Sequence, residues 1–229
     1  MASERDIVGV VPVKDMSLAK TRLSGRYTPG FRRGLAEAML DDVLAALIGS
    51  GVLADVALVT IDPVARAMAR KWGARVIDAG ARDGHTGAVV AAARRLCATH
   101  AGMLTVPGDI PLATAAEVQL LVEGHAAVPA FSIVPAHDGR GSNAVVMTPM
   151  MAVPLAFGND SFEPHVAAAR RQGIEPRIVR MAGIGLDVDH PDDLTSFMAA
   201  PSPTRTWAFL AEQGLVASLT PLPHRAVAS

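Results

Sequence analysis

The feature that most constrains this chain is the regular alternation of short β-rich runs with helical patterns. Ile7–Val13 reads as a buried strand. Thr28-Pro29 then supplies an N-cap and a proline at the first helical position. Leu35, Met39, Val43 and Leu47 follow at i+4 spacing, and Gly49 and Gly51 close that helix. Val56–Thr60 is a second strand. Asp62-Pro63 opens a short helix that Gly73 ends, and Arg75–Ile77 is a third strand. A helix over Gly87–His100 leads to a fourth strand, Met103–Val106, and Thr114 with Glu117 forms a capping box for a helix to about Glu123. Phe131–Val134 and Ala144–Met147 look like strands on either side of the Gly139-Arg140-Gly141 turn, so an antiparallel pairing is expected. Ser161 or Asp160 caps a helix to Gln172, Ile178–Met181 is a late strand, and His190-Pro191 starts another helix.

This order calls for an α/β fold: a three-layer sandwich with a mainly parallel, doubly wound sheet and helices on both faces. Pro201 and Pro203 set off a final segment, Thr206–Leu219, read as one helix and a frayed tail. The domain is therefore drawn over residues 1–200 and a C-terminal helical tail over 201–229. Ligands in such sheets bind outside the carboxyl ends of the strands, at the topological switch point. The residues just after each strand are thus the place to look for function.

Composition narrows the classes. With 21 Lys and Arg against 22 Asp and Glu, no global basic field exists to hold nucleic acid by counterion release. Half the residues are apolar and mean hydropathy is +0.31, which excludes disorder. No apolar stretch approaches the ~20 residues of a membrane span, and no signal peptide precedes Pro12. A cytoplasmic location is expected. Cys97 is the single cysteine, so no internal disulfide can form, and it reads as a small core residue of an alanine-rich helix. Alanine-rich faces and the tail after Pro201 could support a homodimer.

After the first strand come Pro12, Val13 and Lys14, followed by Lys20 and Arg22. Cations there suit a phosphate-rich ligand, Lys as a point charge and Arg as a fork, although a solvated basic loop would read the same way. Neither a P-loop nor a dinucleotide fingerprint occurs. The fourth strand runs into Pro107-Gly108-Asp109-Ile110-Pro111, which aims a carboxylate rigidly from the sheet; a turn aspartate is the plainer alternative. Asp187 and Asp189 lie at i and i+2 and project to one side in extended backbone, so they could share a divalent cation with Asp109. Asp189 could equally cap the helix that Pro191 begins. Gly139–Asn143 and Phe157–Phe162 are two polar, glycine-bearing turns. The second runs into a helix N-terminus, where either an anion or a plain Ser161 N-cap is expected. His165, four residues after Ser161, falls on the same helix face and is read as lining that site.

Taken in order, the Lys14…Lys20-Thr21-Arg22-Leu23 loop, Pro107-Gly108-Asp109-Ile110-Pro111-Leu112, Gly141-Ser142-Asn143-Ala144, Phe157-Gly158…Ser161-Phe162…His165 and Asp187-Val188-Asp189 resemble the CofC/FbiD guanylyltransferases of coenzyme F-420 biosynthesis. The likeness covers about residues 6 to 196. It implies a Rossmann-like nucleotidyltransferase fold of the GT-A type. It also implies transfer of GMP from GTP to the phosphate of 2-phospho-L-lactate, phosphoenolpyruvate or 3-phospho-D-glycerate. Carried over, it makes Asp109, Asp187 and Asp189 ligands of Mg²⁺ and puts Lys14, Lys20 and Arg22 at the phosphates as the catalytic cations. Pro12, Val13, Lys14, Asp83, Gly84, Pro107 and Asp109 would surround the nucleotide, and Ser142, Asn143, Gly158 and Ser161 the acid. The partners implied are GTP and a small phosphorylated acid.

One segment departs from the pattern. Many relatives carry a Gly-Leu-Asn stretch after the third strand, where this chain has Asp83-Gly84-His85-Thr86-Gly87-Ala88. Asp78 or Asp83 could supply a carboxylate for guanine. The scarcity of aromatics, 4%, argues for a base held by backbone and polar groups rather than stacked between rings. The rival readings are a molybdopterin guanylyltransferase or cytidylyltransferase on the same fold, a non-catalytic nucleotide-binding regulator, and a glycosyltransferase using Asp-x-Asp. The Lys-Thr-Arg loop speaks against the last.

Overall fold

The computed structural model describes residues 6–125 and 128–217. Seven strands form one sheet: β1 (Ile7–Pro12), β2 (Asp55–Val59), β3 (Arg75–Ile77), β4 (Gly102–Thr105), β5 (Ala130–Pro135), β6 (Ser142–Thr148) and β7 (Arg177–Ile178), in the order β3-β2-β1-β4-β6-β5-β7. All pairs are parallel except those made by β6, which runs against β4 and β5. The expected antiparallel pairing across Gly139–Gly141 is therefore present.

Alternation along β1 shows how the sheet is buried on both sides. Val8 and Val10 enter one core with Val89 and Ala92 of helix α3 (Gly84–Leu96) and Val166 and Ala169 of α5 (Phe162–Arg171). Ile7 and Val11 enter the other, with Leu40, Val43, Leu44 and Leu47 of α1 (Pro29–Gly49), Ala65 and Ala69 of α2 (Pro63–Lys71), and Val118 and Leu121 of α4 (Ala115–Glu123). The caps form as the sequence requires. Thr28 accepts from Phe31 N, Asp62 from Val64 N and Ala65 N, and Thr114 and Glu117 complete a capping box. Chain order turns at β1: β2 and β3 lie to one side and β4 to the other, so the crevice outside the ends of β1 and β4 is the switch point.

The elements differ from expectation in four places. Helix α3 starts at Gly84, not Gly87, because Gly84 takes a φ of +73° that lets the chain turn straight into the helix. It also ends at Leu96, which leaves Cys97 at the C-cap and exposed instead of in the core. The late strand is only Arg177–Ile178. Beyond it the backbone leaves the sheet edge for a short turn of helix, α6 (Ala182–Gly185). Two side chains draw that segment away: Glu117 accepts from Gly183 N at 2.8 Å, and Asn143 Nδ2 donates to the carbonyls of Ile184 and Gly185. Helix α7 (Pro191–Met198) is capped at His190, and the oxygen that serves its start belongs to Asp193, which accepts from Asp189 N and His190 N. Asp189 is therefore not the cap, and its carboxylate is free for other partners.

The segment after Pro201 forms α8 (Arg205–Glu212), seated on α1. Trp207 and Leu210 join Leu35, Met39, Val188 and Phe197 in a third apolar cluster at the end of the molecule that carries the crevice loops. Asp42 of α1 caps α8, accepting from Arg205 N, Thr206 N and Thr206 Oγ1 at 2.7–2.9 Å. Gly34 leaves room for the Phe209 ring, where a Cβ would stand 2.6 Å from it. The described part of the tail is thus packed into the domain. The frayed end expected up to Leu219 and beyond lies partly outside the described residues.

Candidate active site

A cleft of about 990 Å³ opens at the β1/β4 switch point. Most candidate residues read from the sequence line it: Pro12, Val13, Lys14, Lys20, Arg22, Asp83, Gly84, Pro107, Asp109, Ser142, Asn143, Gly158, Ser161, Asp187 and Asp189. Of the two carboxylates considered for the guanine edge, Asp83 lines the cleft. Asp78 does not; it pairs with Arg66 at 3.1 Å.

The basic loop after β1 is held from several sides. Met16 N donates to the free oxygen of the α2 cap, Asp62, at 3.0 Å, and Arg32 of α1 donates to the carbonyls of Ala19 and Tyr27. At its apex Lys20 has φ 53°, ψ 42°, alone among the described non-glycine residues in having a positive φ. A lysine in the left-handed region costs of order 1 kcal/mol or more, and such strain persists where surrounding contacts over-determine it. Those contacts are ionic. Lys20 Nζ donates to Asp109 Oδ2 and, at 2.8 Å, to Asp189 Oδ1, and its side chain is only 7% exposed. Arg22 reaches the other oxygen of Asp189 at 3.0 Å and Asn159 Oδ1 at 3.2 Å. The loop is therefore no solvated basic surface. It carries one ammonium into a carboxylate pair and ties that pair to the turn before α5.

Titration follows from this packing. Burial would lower Lys20, but Asp109 and Asp189 outweigh it and hold the ammonium above its ordinary range. Burial pushes the Asp109 carboxyl up, against the pull of Lys20. Burial acts on Asp189 the same way, yet Lys20 and Arg22 bring it below the ordinary range. Asp187 stands beside them with Oδ1 accepting from Asn143 Nδ2 at 3.0 Å, and the His137 ring lies 3.9 Å from the same oxygen. Among the described residues no three His, Cys, Asp or Glu side chains gather closely enough to hold a metal by themselves; the space between Asp109 and Asp189 is occupied by Lys20. Asn143, 5% exposed, uses its amide on Ile184, Gly185 and Asp187. That makes it a brace for the Asp187 loop, while it and its neighbour Ser142 both line the cleft.

The opposite wall presents hydroxyls at its centre, with an exposed ion pair, Arg140 Nε to Asp160 Oδ1 at 2.6 Å, at its rim. Ser161 sits at the α5 N-cap position but makes no cap bond; its hydroxyl donates to Ser142 Oγ at 3.2 Å. Ser142 Oγ also meets His165 Nδ1 at 3.0 Å. His165 does lie on the Ser161 face of α5, but at 1% exposure it stands behind the wall rather than lining it. The N-terminus of α3 opens on the cleft with no side-chain cap, so its first N–H groups face the cleft. At α5, Phe162 N–H already donates to the Arg140 carbonyl at 2.9 Å and Pro164 has no N–H, so that helix start is no comparable anion site. Phe157 is flanked by His85 at 4.4 Å and His165 at 4.9 Å between ring centres, which leaves a single phenyl ring among the described cleft residues. Burial brings both His85 and His165 down to about 4, with Lys14 adding to the effect at His85.

His137, Asp193 and Asn159 also line the cleft, beyond the residues expected from the sequence. Asn159 was within reach, since it sits in the Phe157–Phe162 turn; nothing local marks His137, which arrives through the fold.

The family model described as guanylyl transferase CofC like matches residues 7–226, nearly the whole chain. The chain belongs to the CofC-like guanylyl transferase family. Among relatives, it is 36% identical to a phosphoenolpyruvate guanylyltransferase of Rubrobacter xylanophilus, over 85% of this chain and 94% of that one. It is 31% identical to a 3-phospho-D-glycerate guanylyltransferase of Colwellia psychrerythraea, over 85% and 92%. Identity is also 31% to a 2-phospho-L-lactate guanylyltransferase of Methanothermobacter thermautotrophicus, over 81% of each chain. A solved nucleotidyl transferase from the last genus superimposes with a TM-score of 0.59 at 15% identity, covering 84% of this chain and 95% of that one, which supports the nucleotidyltransferase fold. The CofC-like match reaches 226 and so includes α8, beyond the stretch over which the motifs alone show the likeness. No described helix is long and apolar enough to cross a membrane.

Proposed function

We propose that this CofC-like chain transfers GMP from GTP to the phosphate of a three-carbon phosphorylated acid, phosphoenolpyruvate, 3-phospho-D-glycerate or 2-phospho-L-lactate, as in coenzyme F-420 biosynthesis. A phosphate oxygen of the acid forms the new bond to the α-phosphorus of GTP, the bond to the β-phosphate oxygen breaks, and pyrophosphate leaves with the electron pair. The nucleophile is already an anion, so no side chain need take its proton. This suits a cleft whose buried histidines, His85 and His165, are neutral near pH 7. Both substrates are charged metabolites of the cytoplasm, the location expected for the protein.

The observation that carries the proposal is the Lys20 bridge at the switch point. Asp109 and Asp189 converge on one cationic centre, and a basic loop delivers it. Lys20 and Arg22 thus offer their charge to phosphate oxygens at the edge of the cleft, while Lys14 stands at the end of β1. Charges fixed before reaction stabilise a developing oxyanion without reorganisation, at about 10²–10³ in rate per group. The same convergence supports Mg²⁺ as a further partner. Asp109, Asp187 and Asp189 are hard oxygen donors, but the three do not close a metal site by themselves and Lys20 stands between the first and last of them, so phosphate oxygens of the substrate would have to complete the coordination. When bound, Mg²⁺ would neutralise phosphate charge and polarise the phosphorus centre. Asn143 holds Asp187 for that purpose, and Asp193 fixes the backbone at Asp189 and His190.

The test is pyrophosphate release from the full chain with each of ATP, GTP, CTP and UTP against each of the three acids, with and without Mg²⁺. Release is expected with GTP and one or more of the acids, and only with Mg²⁺. Turnover confined to CTP, or none with any acid in the presence of GTP, would overturn the assignment.

A further inference from the structure

His165 is a buried titratable group that the proposed chemistry leaves without a task, and its hydrogen bonds give it one. Its Nε2 accepts from the backbone N–H of Ala156 at 2.9 Å. A neutral imidazole that accepts at Nε2 must carry its proton on Nδ1. Nδ1 lies 3.0 Å from Ser142 Oγ and so donates to it. Ser161 Oγ donates to the same oxygen at 3.2 Å. Both lone pairs of the Ser142 hydroxyl are then engaged, and its own hydrogen is left for the cleft that Ser142 lines.

We propose that His165 is a positioning residue: through Nδ1–H it fixes the Ser142 hydroxyl as a hydrogen-bond donor aimed at an anionic oxygen, the carboxylate, of the acid substrate. The inference rests on the proposed function for the identity of that acid. The ring packs edge-on to Phe157, whose own N–H donates to Thr86 Oγ1 at 2.9 Å, so α3, α5 and the turn between Ala156 and Ser161 jointly hold the imidazole in place. Burial keeps it neutral, which preserves the acceptor at Nε2. A hydroxyl free to rotate would present lone pairs to an anion part of the time; one with both lone pairs engaged presents only its proton.

The experiment compares Ser142→Ala, His165→Phe, His165→Asn and the double variant S142A/H165F in the full chain. Steady-state pyrophosphate release with GTP would be measured separately with phosphoenolpyruvate, 3-phospho-D-glycerate and 2-phospho-L-lactate, beside a thermal melt of each variant. His165→Phe keeps the ring contact with Phe157 and loses both nitrogens. It should raise the KM of the accepted acid about tenfold while the KM of GTP and kcat move less than about threefold. Ser142→Ala should do the same, and the double variant should be no worse than Ser142→Ala, because His165 acts through Ser142. His165→Asn can place an amide donor near the Nδ1 position and should recover most of the loss.

Effects of the two single variants that multiply in the double variant would overturn the inference, as would an acid KM in His165→Phe within twofold of wild type. Should His165→Phe fail to fold, His165→Asn decides alone: an acid KM raised as far as in Ser142→Ala refutes the donor role. If the wild-type chain turns over none of the three acids with GTP, the proposed function itself falls, and this inference with it. If the wild type is active and the His165 variants are silent, only the inference falls.

Discussion

The two walls of the cleft solve the same problem by opposite means. Both must receive anions. The wall built on β1, β4 and the loop before α7 does so with full charges, Lys20 and Arg22 set against Asp109 and Asp189. The wall built on β6 and the start of α5 keeps the Arg140–Asp160 ion pair at its exposed rim and at its centre uses Ser142, Ser161, Gly158 and a neutral imidazole behind them. The charged wall has to be over-determined, because a partly buried charge left without its partner costs several kcal/mol. That is why its lysine tolerates a left-handed backbone and why Arg32, Asp62 and Asp193 brace the loops around it. The neutral wall has less at stake per residue. It can set shape and hydrogen-bond direction, the properties that tell one three-carbon acid from another.

Removing one member of the charged wall should therefore hurt most. Asp109→Asn keeps the side-chain shape but takes away the charge that faces Lys20 and the proposed metal. Turnover should fall by about 10³ or more while the melting temperature moves by a few degrees at most. Pyrophosphate release near the wild-type rate would show that the charged wall does not carry the chemistry. Lys20→Met should follow at about 10²–10³ in kcat/KM. It also leaves Asp109 and Asp189 facing each other, so a stability loss of about 1–3 kcal/mol should accompany it in denaturant melts. A Lys20→Met chain with full activity would reduce the ammonium to a structural prop. In the neutral wall, Ser161→Ala deletes one hydroxyl hydrogen bond. A loss of only about two- to tenfold in kcat/KM for the acid is expected, with the GTP KM unchanged. An effect as large as that of Lys20→Met would erase the contrast between the walls.

That contrast also separates what the sequence made legible from what it did not. The charged wall was readable because its parts sit directly after strands. Once β1 and β4 were placed, Lys14, Lys20, Arg22 and Asp109 had to gather at the switch point. Periodicity located α1, and the Asp62-Pro63 and Thr114…Glu117 signals located α2 and α4, because local chemistry alone decides those starts. The features that stayed hidden were decided at a distance. Asp189 looks like a cap from its place before Pro191, but Asp193 takes that task from within α7. Ile178–Met181 has strand composition, yet Asn143 and Glu117, far away in sequence, pull the next residues into α6. Cys97 matches its alanine-rich neighbours and still ends exposed, since α3 stops one residue before it. Asn143 stands in a motif that suggests substrate contact, and only the folded chain shows its amide spent on the Asp187 loop.

Acid should act on the two walls differently, and this gives the smallest and most diagnostic effect. Lys20 is held above its ordinary range and Asp189 below its own, so neither titrates between pH 5 and 8. His165 is brought down by burial to about 4 in the native chain, against about 6.5 when unfolded. Between those values the unfolded chain binds more protons than the folded one, so stability rises with pH across the window. The stability from keeping this ring neutral is complete above pH 6.5 and is lost as pH falls towards 4. One histidine contributes a slope of at most about 1.4 kcal/mol per pH unit. His85 and His125, also brought down to about 4, add in the same sense. Melts of the wild type from about pH 7.5 to 5 should therefore show a falling transition temperature, and His165→Phe should flatten that dependence while leaving the part due to His85 and His125. An unchanged slope in His165→Phe would mean that the imidazole titrates normally. The neutral wall would then gain a charge in weak acid, and the difference between the two walls would hold only near neutrality.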